Sequence, residues 1–151
     1  AAHLFPEATI DAVDLSPDAL DVAQKNVATH KVADRLTLFQ GDLFAPLKGR
    51  SYDLIITNPP YVDAEAMNDL PPEFQHEPRM ALESGDDGLD IVRRILEDAP
   101  DHLNEGGGLL CEIGRGRALL EEAYPKLPFL WLDTEDSSGE VFWLTREQMT
   151  A

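Results

Sequence analysis

A chain of 151 residues, 43% hydrophobic and 27% charged, has the size and balance of a globular domain with a sizeable core. No apolar run approaches the ~20 residues of a membrane-spanning helix, and the opening AAHLFPEATIDAV lacks the basic start and long apolar run of a secretory signal. Twelve basic residues against 29 acidic ones, a net charge of −17, argue against a protein that grips a phosphate backbone; they suit a basic protein partner, or an acidity that serves solubility alone.

Strand and helix signals alternate along the chain. Residues 8–16, ATIDAVDLS, form a short β-rich run. Ser16 then sits where an N-cap belongs and Pro17 at the first helical position, and Ala19, Leu20, Ala23, Val27 and Ala28 recur at helical spacing. Residues 35–44, RLTLFQGDLF, predict a second strand, and Tyr52 to Asn58 a third with an apolar middle. A polar, proline-containing stretch from Val62 to Asp87 is too long for an idle connection and reads as a substrate loop or lid. A helix is expected from about Leu89 to Leu103, a turn at Gly106–Gly108, a strand over LLCEIG and a helix from about Arg117 to Tyr124. The lone cysteine, Cys111, lies within that apolar strand and reads as a buried thiol, which places the chain by default in the cytoplasm. FLWLDTED and EVFWLTRE, joined by SSG, predict a closing hairpin.

Strand, helix, strand with apolar strand cores predicts an α/β fold around a mostly parallel sheet, with an antiparallel hairpin at its end. Ligands of such sheets sit beyond the carboxyl ends of the strands, and three predicted strands end there in Asp14, Asp42 and Asn58. Asp14 suits the vicinal hydroxyls of a ribose, or equally the start of a helix. Asp42 suits an exocyclic amine of an adenine, or the tight turn that a Gly-Asp pair makes.

Asn58-Pro59-Pro60-Tyr61 is more specific. Each proline removes a backbone donor and presets φ, and the residue before a proline is pushed to extended conformations. The Asn58 amide oxygen and the Pro59 carbonyl are then two acceptors for the two hydrogens of one –NH2 group, and Tyr61 offers a flat face to a planar substrate. A plain turn explains the prolines but not the asparagine and tyrosine that bracket them.

With these residues the sequence resembles the class I S-adenosylmethionine-dependent methyltransferases, a Rossmann-like fold. Within them it resembles the protein N5-glutamine methyltransferases (the HemK/PrmC/PrmB family). DAVDLSPDALDVAQKN resembles that family's ribose-binding strand and helix, LFQGDLF its adenine-contacting segment, and FQHEPRMALESGDDGLDIVRRIL the segment after Asn-Pro-Pro-Tyr. YVDAEAMNDLPPEFQHEP and the C-terminal tail resemble the PrmB-like branch, which modifies a large-subunit ribosomal protein, more than the release-factor branch. The resemblance covers nearly the whole chain. It implies S-adenosylmethionine as methyl donor, with S-adenosylhomocysteine as product, bound by Asp14, Leu15, Asp42, Leu43 and Asn58. It implies catalysis by Asn58, Pro59 and Tyr61, and contact between the substrate glutamine and Asn58, Pro59, Pro60, Tyr61 and Glu77; for Glu77 an ordinary acidic loop residue is an equal reading. The partner implied is a protein with an exposed glutamine, with neither membrane nor direct nucleic-acid binding.

The family's glycine-rich loop and its N-terminal helical domain have no counterpart here, so residues 1–151 are expected to be a single, N-terminally truncated catalytic domain. Gly114–Gly116 falls in the wrong context for that loop. His3, His30, His76 and His102 lack ligand spacing, so no metal is expected. Three other readings remain: release-factor glutamine methylation, methylation of adenine N6 in DNA, where the exocyclic amine poses the same conjugation problem, and an inactive fragment that only binds a partner.

Overall fold

The computed structural model describes residues 1–61, 84–85, 87–133 and 138–151. They form two units, Ala1–Arg50 and Ser51–Ala151, each with its own sheet.

The first unit is a strand–helix–strand crossover. Strand β1, Ile10–Asp14, pairs in parallel with β2, Leu36–Gln40, from Ile10 opposite Leu36 to Asp14 opposite Gln40. Between them runs α1, Pro17–Thr29. Ser16 caps it as expected, its hydroxyl accepting from the Ala19 amide at 3.3 Å. The buried stripe of α1 is narrower than the sequence spacing suggests. Val27 is buried and Leu20 and Ala23 half-buried, while Ala19 and Ala28 are exposed. Arg35 ties down the N-terminal coil by donating to the carbonyls of Ala2 at 2.7 Å and Phe5 at 3.2 Å. Strand β2 stops before the predicted Phe44. The chain turns at Gly41, which packs so closely on Pro46 that a Cβ there would meet its ring at 2.7 Å.

The second unit holds β3 (Tyr52–Thr57), β4 (Leu103–Glu112), β5 (Leu130–Asp133) and β6 (Ser138–Thr145) in the spatial order β3-β4-β6-β5. Strands β3 and β4 are parallel; β6 runs antiparallel to both β4 and β5. The closing hairpin is therefore present, held by Phe142 against Phe129 and Trp131 with ring centroids 5.1 and 5.7 Å apart in edge-to-face contact. Helix α2, Asp90–Asp98, supplies Val92, Ile95 and Leu96 to the core, and α3, Arg117–Ala123, supplies Leu120. They bury Leu109, Cys111, Ile113, Phe142 and Leu144 almost completely.

In the second unit, three further features differ from the sequence expectation. Helix α2 stops at Asp98 rather than near Leu103, since Pro100 cannot continue it, and Ala99–His102 tightens into a 3-10 turn. The C-terminal strand stops at Thr145, where a short helix α4, Arg146–Thr150, begins. Its signal was the capping box: Thr145 N–H donates to Gln148 Oε1 at 2.8 Å, and Gln148 N–H to Thr145 Oγ1 at 3.3 Å.

The third difference is the glycine run. Gly106–Gly108 lies inside β4 instead of forming a turn before it. Strand β4 advances five residues, from Leu103 to Gly108, where β3 advances two, from Tyr52 to Leu54. Glycines absorb that irregularity, as at a β-bulge. Gly108 has a second reason to lack a side chain: a Cβ there would overlap the indole of Trp143 on β6. Gly108→Ala is expected to push Trp143 off the sheet and destabilise the protein by about 1–3 kcal/mol. Urea unfolding followed by tryptophan fluorescence checks this, and an unchanged midpoint would count against the packing described.

Candidate active site

Within the first unit, the turns that follow β1 and β2 lie together. Asp14 is the last residue of β1, and its carbonyl accepts from Gly41 N–H at 3.1 Å, drawing Gly41-Asp42 alongside Asp14-Leu15. The Asp14 carboxylate accepts from Ser16 N–H through Oδ1 at 2.8 Å. One oxygen thus braces the strand-to-helix turn, as the helix-start reading of Asp14 expects, and the side chain is exposed at a strand's carboxyl end. Leu15 is 51% exposed beside it. Asp42 is exposed, and Leu43 holds a left-handed backbone with φ of 47°. An exposed carboxylate with a second oxygen to offer, flanked by an exposed leucine, suits a ribose and the edge of a nucleoside.

Within the second unit, Asn58 follows β3 directly. Asn58 is exposed, Pro59 buried, Pro60 half-buried and Tyr61 36% exposed. The prolines are therefore the anchored part, and Asn58 and Tyr61 the presented part. The ring of Tyr61 lies against Gly114, just beyond the end of β4. The sequence reading set Gly114 aside because Gly114–Gly116 does not fit a cofactor loop; its trace in the sequence was only a glycine closing an apolar strand.

Residues 62–83 and 86, and with them Glu77, Pro78 and Arg79, lie outside the described residues. The chain on the far side of that stretch is tied to α2. Ser84 is buried, and its hydroxyl accepts from Ile91 N–H at 3.0 Å, as a cap does. Asp87 accepts from Leu89 N–H at 3.0 Å and takes both terminal nitrogens of Arg93. The Arg93 guanidinium, against partial desolvation and with help from Leu89 N–H, lowers the Asp87 carboxyl from an ordinary 3.8 to about 2. None of Ser84, Asp87 and Arg93 stood out in the sequence.

Cys111 is fully buried, and burial raises its thiol far from the reactive thiolate range, so it is a core residue. Among the described residues no three His, Cys, Asp or Glu side chains are grouped to hold a metal ion. No described helix is long and apolar enough to cross a membrane.

Comparison with known proteins gives three results. Residues 1–87 match the family model of the methyltransferase small domain. Three proteins named ribosomal protein uL3 glutamine methyltransferase are similar over nearly the whole chain. That of Bradyrhizobium diazoefficiens is 65% identical over 95% of this chain and 45% of its own length. That of Neisseria gonorrhoeae is 55% identical over 98% and 49%, and that of Bordetella pertussis 52% identical over 99% and 50%. This chain thus spans about half the length of the curated relatives it matches. Among solved structures, TrmN from Thermus thermophilus superposes with a TM-score of 0.63 at 20% identity, covering 96% of this chain and 38% of that one. A methyltransferase from Pyrococcus furiosus gives 0.60 at 21% identity, covering 94% and 63%. At such identities these likenesses show the fold, the Rossmann-like fold of class I methyltransferases.

The Asp87–Arg93 pair sets a pH dependence of stability. A carboxyl held below its ordinary value contributes stability that is complete above about pH 4 and is lost as pH falls through about 2. The Asp87 side chain is 37% exposed, so the contribution is at most about 1 kcal/mol. Asp87→Asn keeps an acceptor for Leu89 N–H and removes the charge. It is expected to lower stability by that amount near neutral pH and by progressively less below pH 4, as read from urea midpoints across a pH series. A difference that does not shrink on acidification would contradict the charge pairing.

Proposed function

The chain belongs to the methyltransferase small domain family, and from that premise we propose that residues 1–151 act as one catalytic domain that transfers a methyl group to the side-chain amide nitrogen of a glutamine in ribosomal protein uL3. The observation that carries the chemistry is Asn58-Pro59-Pro60-Tyr61 at the carboxyl end of β3, with Pro59 buried and Asn58 presented. The choice of substrate protein is supported by the names of the relatives at 52–65% identity.

A glutamine amide nitrogen is a poor nucleophile, because its lone pair is conjugated with the carbonyl. The Asn58 side-chain oxygen and the Pro59 carbonyl each accept one of its two hydrogens. That pair of bonds fixes the direction of the nitrogen and stabilises positive charge as it develops there. Tyr61 packs on the amide plane. The amide proton becomes acidic only as the new C–N bond forms, so no strong base is needed beforehand. The methyl donor of this reading is S-adenosylmethionine, which supplies an electrophilic methyl carbon on a positively charged sulfur and leaves as S-adenosylhomocysteine. Asp14 would hold its ribose hydroxyls and Leu15, Asp42 and Leu43 its nucleoside; the exposed carboxylate of Asp14 suits that task.

The net charge of −17 supports a basic ribosomal protein as partner over nucleic acid, and with it the cytoplasm as compartment. Adenine N6 offers the same –NH2 problem, but twelve basic residues against 29 acidic ones argue against a DNA substrate.

Incubation of the intact protein with S-adenosylmethionine and uL3, followed by peptide mass spectrometry, tests the reading. A glutamine peptide of uL3 heavier by one methylene is expected; modification of a release factor alone, or of DNA alone, would sink it. Asn58→Ala is expected to lower kcat at least about a hundredfold, with affinity for S-adenosylhomocysteine by calorimetry nearly unchanged. Asp14→Asn is expected to do the reverse, weakening S-adenosylhomocysteine about tenfold or more. Equal losses in both measurements for Asn58→Ala would make Asn58 a structural or cofactor residue.

A further inference from the structure

The carboxyl ends of β3 and β4 leave the sheet side by side. The strands are parallel and paired up to Thr57 opposite Cys111, so the residues that follow them, Asn58 to Tyr61 and Ile113-Gly114, emerge at the same edge. There the ring of Tyr61 rests on the backbone of Gly114. A Cβ at position 114 would lie 2.6 Å from Cε2, 2.9 Å from Cδ2 and 3.1 Å from Cζ of that ring, distances at which something must move. Gly114 also has φ of 53°, in the left-handed region that favours glycine. Two separate constraints, one steric and one conformational, thus favour glycine at the same residue.

The backbone under the ring has little freedom to yield. Ile113 is fully buried, and its N–H donates to the carbonyl of Glu140 on β6 at 2.8 Å. Gly116 N–H donates back to the carbonyl of Ile113 at 3.2 Å, closing a tight turn around Gly114. On the other side, Pro59 is buried and Pro60 presets φ, so Tyr61 has a fixed origin. A side chain at 114 therefore displaces the ring before it displaces the strand end.

We propose that Gly114 is a positioning residue: its bare backbone is the seat that holds the Tyr61 ring in the plane in which it meets the substrate amide. The inference rests on the reading of Tyr61 given under Proposed function. The contact uses the ring carbons and not the hydroxyl, so a phenylalanine at 61 keeps the seat. Orientation at a reacting centre is steep in its effect, with misplacement of the order of 1 Å costing about a hundredfold in rate.

The test is a double-mutant cycle in the intact protein, with uL3 and S-adenosylmethionine. Gly114→Ala is expected to lower kcat about ten- to a hundredfold, to leave the Kd for S-adenosylhomocysteine within about twofold, and to shift the aromatic NMR resonances of Tyr61. In the Tyr61→Ala background, where no ring remains to be displaced, the further effect of Gly114→Ala on kcat is expected to fall below about twofold. Gly106→Ala isolates backbone strain, since Gly106 has φ of 75° with nothing within 4 Å of a Cβ; it is expected to lower Tm and to change neither kcat nor the Tyr61 resonances. An equal cost of Gly114→Ala in both backgrounds, or full activity with unmoved Tyr61 resonances, overturns the seat and leaves the proposed function standing. Absence of uL3 methylation by the wild type, with the resonances still moving, overturns the function and leaves the seat. If Gly114→Ala alone does not fold, the double variant carries the test: recovery of folding on removing the ring supports the contact, and no recovery overturns it.

Discussion

A parallel pair of β-strands releases both chains at one edge, and the second unit depends on that fact. Strands β3 and β4 run together to Thr57 and Cys111, each with apolar residues that must be buried and backbone groups that must be paired. Where pairing stops, polar side chains and backbone carbonyls are no longer committed to the sheet ladder. Asn58 and the Pro59 carbonyl stand there because the strand ends, and the strand ends there because Pro59 and Pro60 have no N–H to continue it. The residues that terminate the strand are the same four from which the proposed function draws its two acceptors.

The glycines of the second unit follow from the same crowding. Gly108 lies under Trp143, and Gly114 under Tyr61. In each case an aromatic ring occupies the space a Cβ would need, one ring completing the core and the other standing at the edge of the site. Composition alone does not tell the two apart, since both read as glycine beside an apolar run. The neighbouring residues separate them: Trp143 comes from β6 in the paired sheet, whereas Tyr61 comes from beyond the end of a strand.

Charge acts on a different scale from these contacts. The net charge of −17 acts over the whole chain, while the local ion pairs tie segments down. Arg93 gathers Asp87 and Asp90 at the start of α2, and Arg50 meets Asp11 at 2.8 Å in the first unit. Other arginines serve structural partners too: Arg35 takes backbone carbonyls, and Arg117 lies over Trp131 while bonding Glu121 at 3.1 Å.

Much of this was legible in the sequence. Ser16-Pro17 starts a helix because local capping chemistry decides it, and the apolar runs of β3 and β4 must be strands in a covered sheet. Asn58-Pro-Pro-Tyr carries its backbone geometry in its own residues, and the family resemblance that it anchors agrees with the family model and with the fold. The misreadings came where local pattern met a distant partner. Gly106–Gly108 has the composition of a turn, yet it is strand, because Leu54 and Thr145 stand opposite Gly108 on the neighbouring strands and Trp143 covers it. Gly114 looked irrelevant, because nothing near it in sequence announces a tyrosine 53 residues earlier (114 − 61). Local sequence determined what each segment could do with its own hydrogen bonds; only tertiary structure decided which rings and carboxylates arrive to use the space and the donors that it leaves, because those contacts are set by register between strands and not by neighbours along the chain.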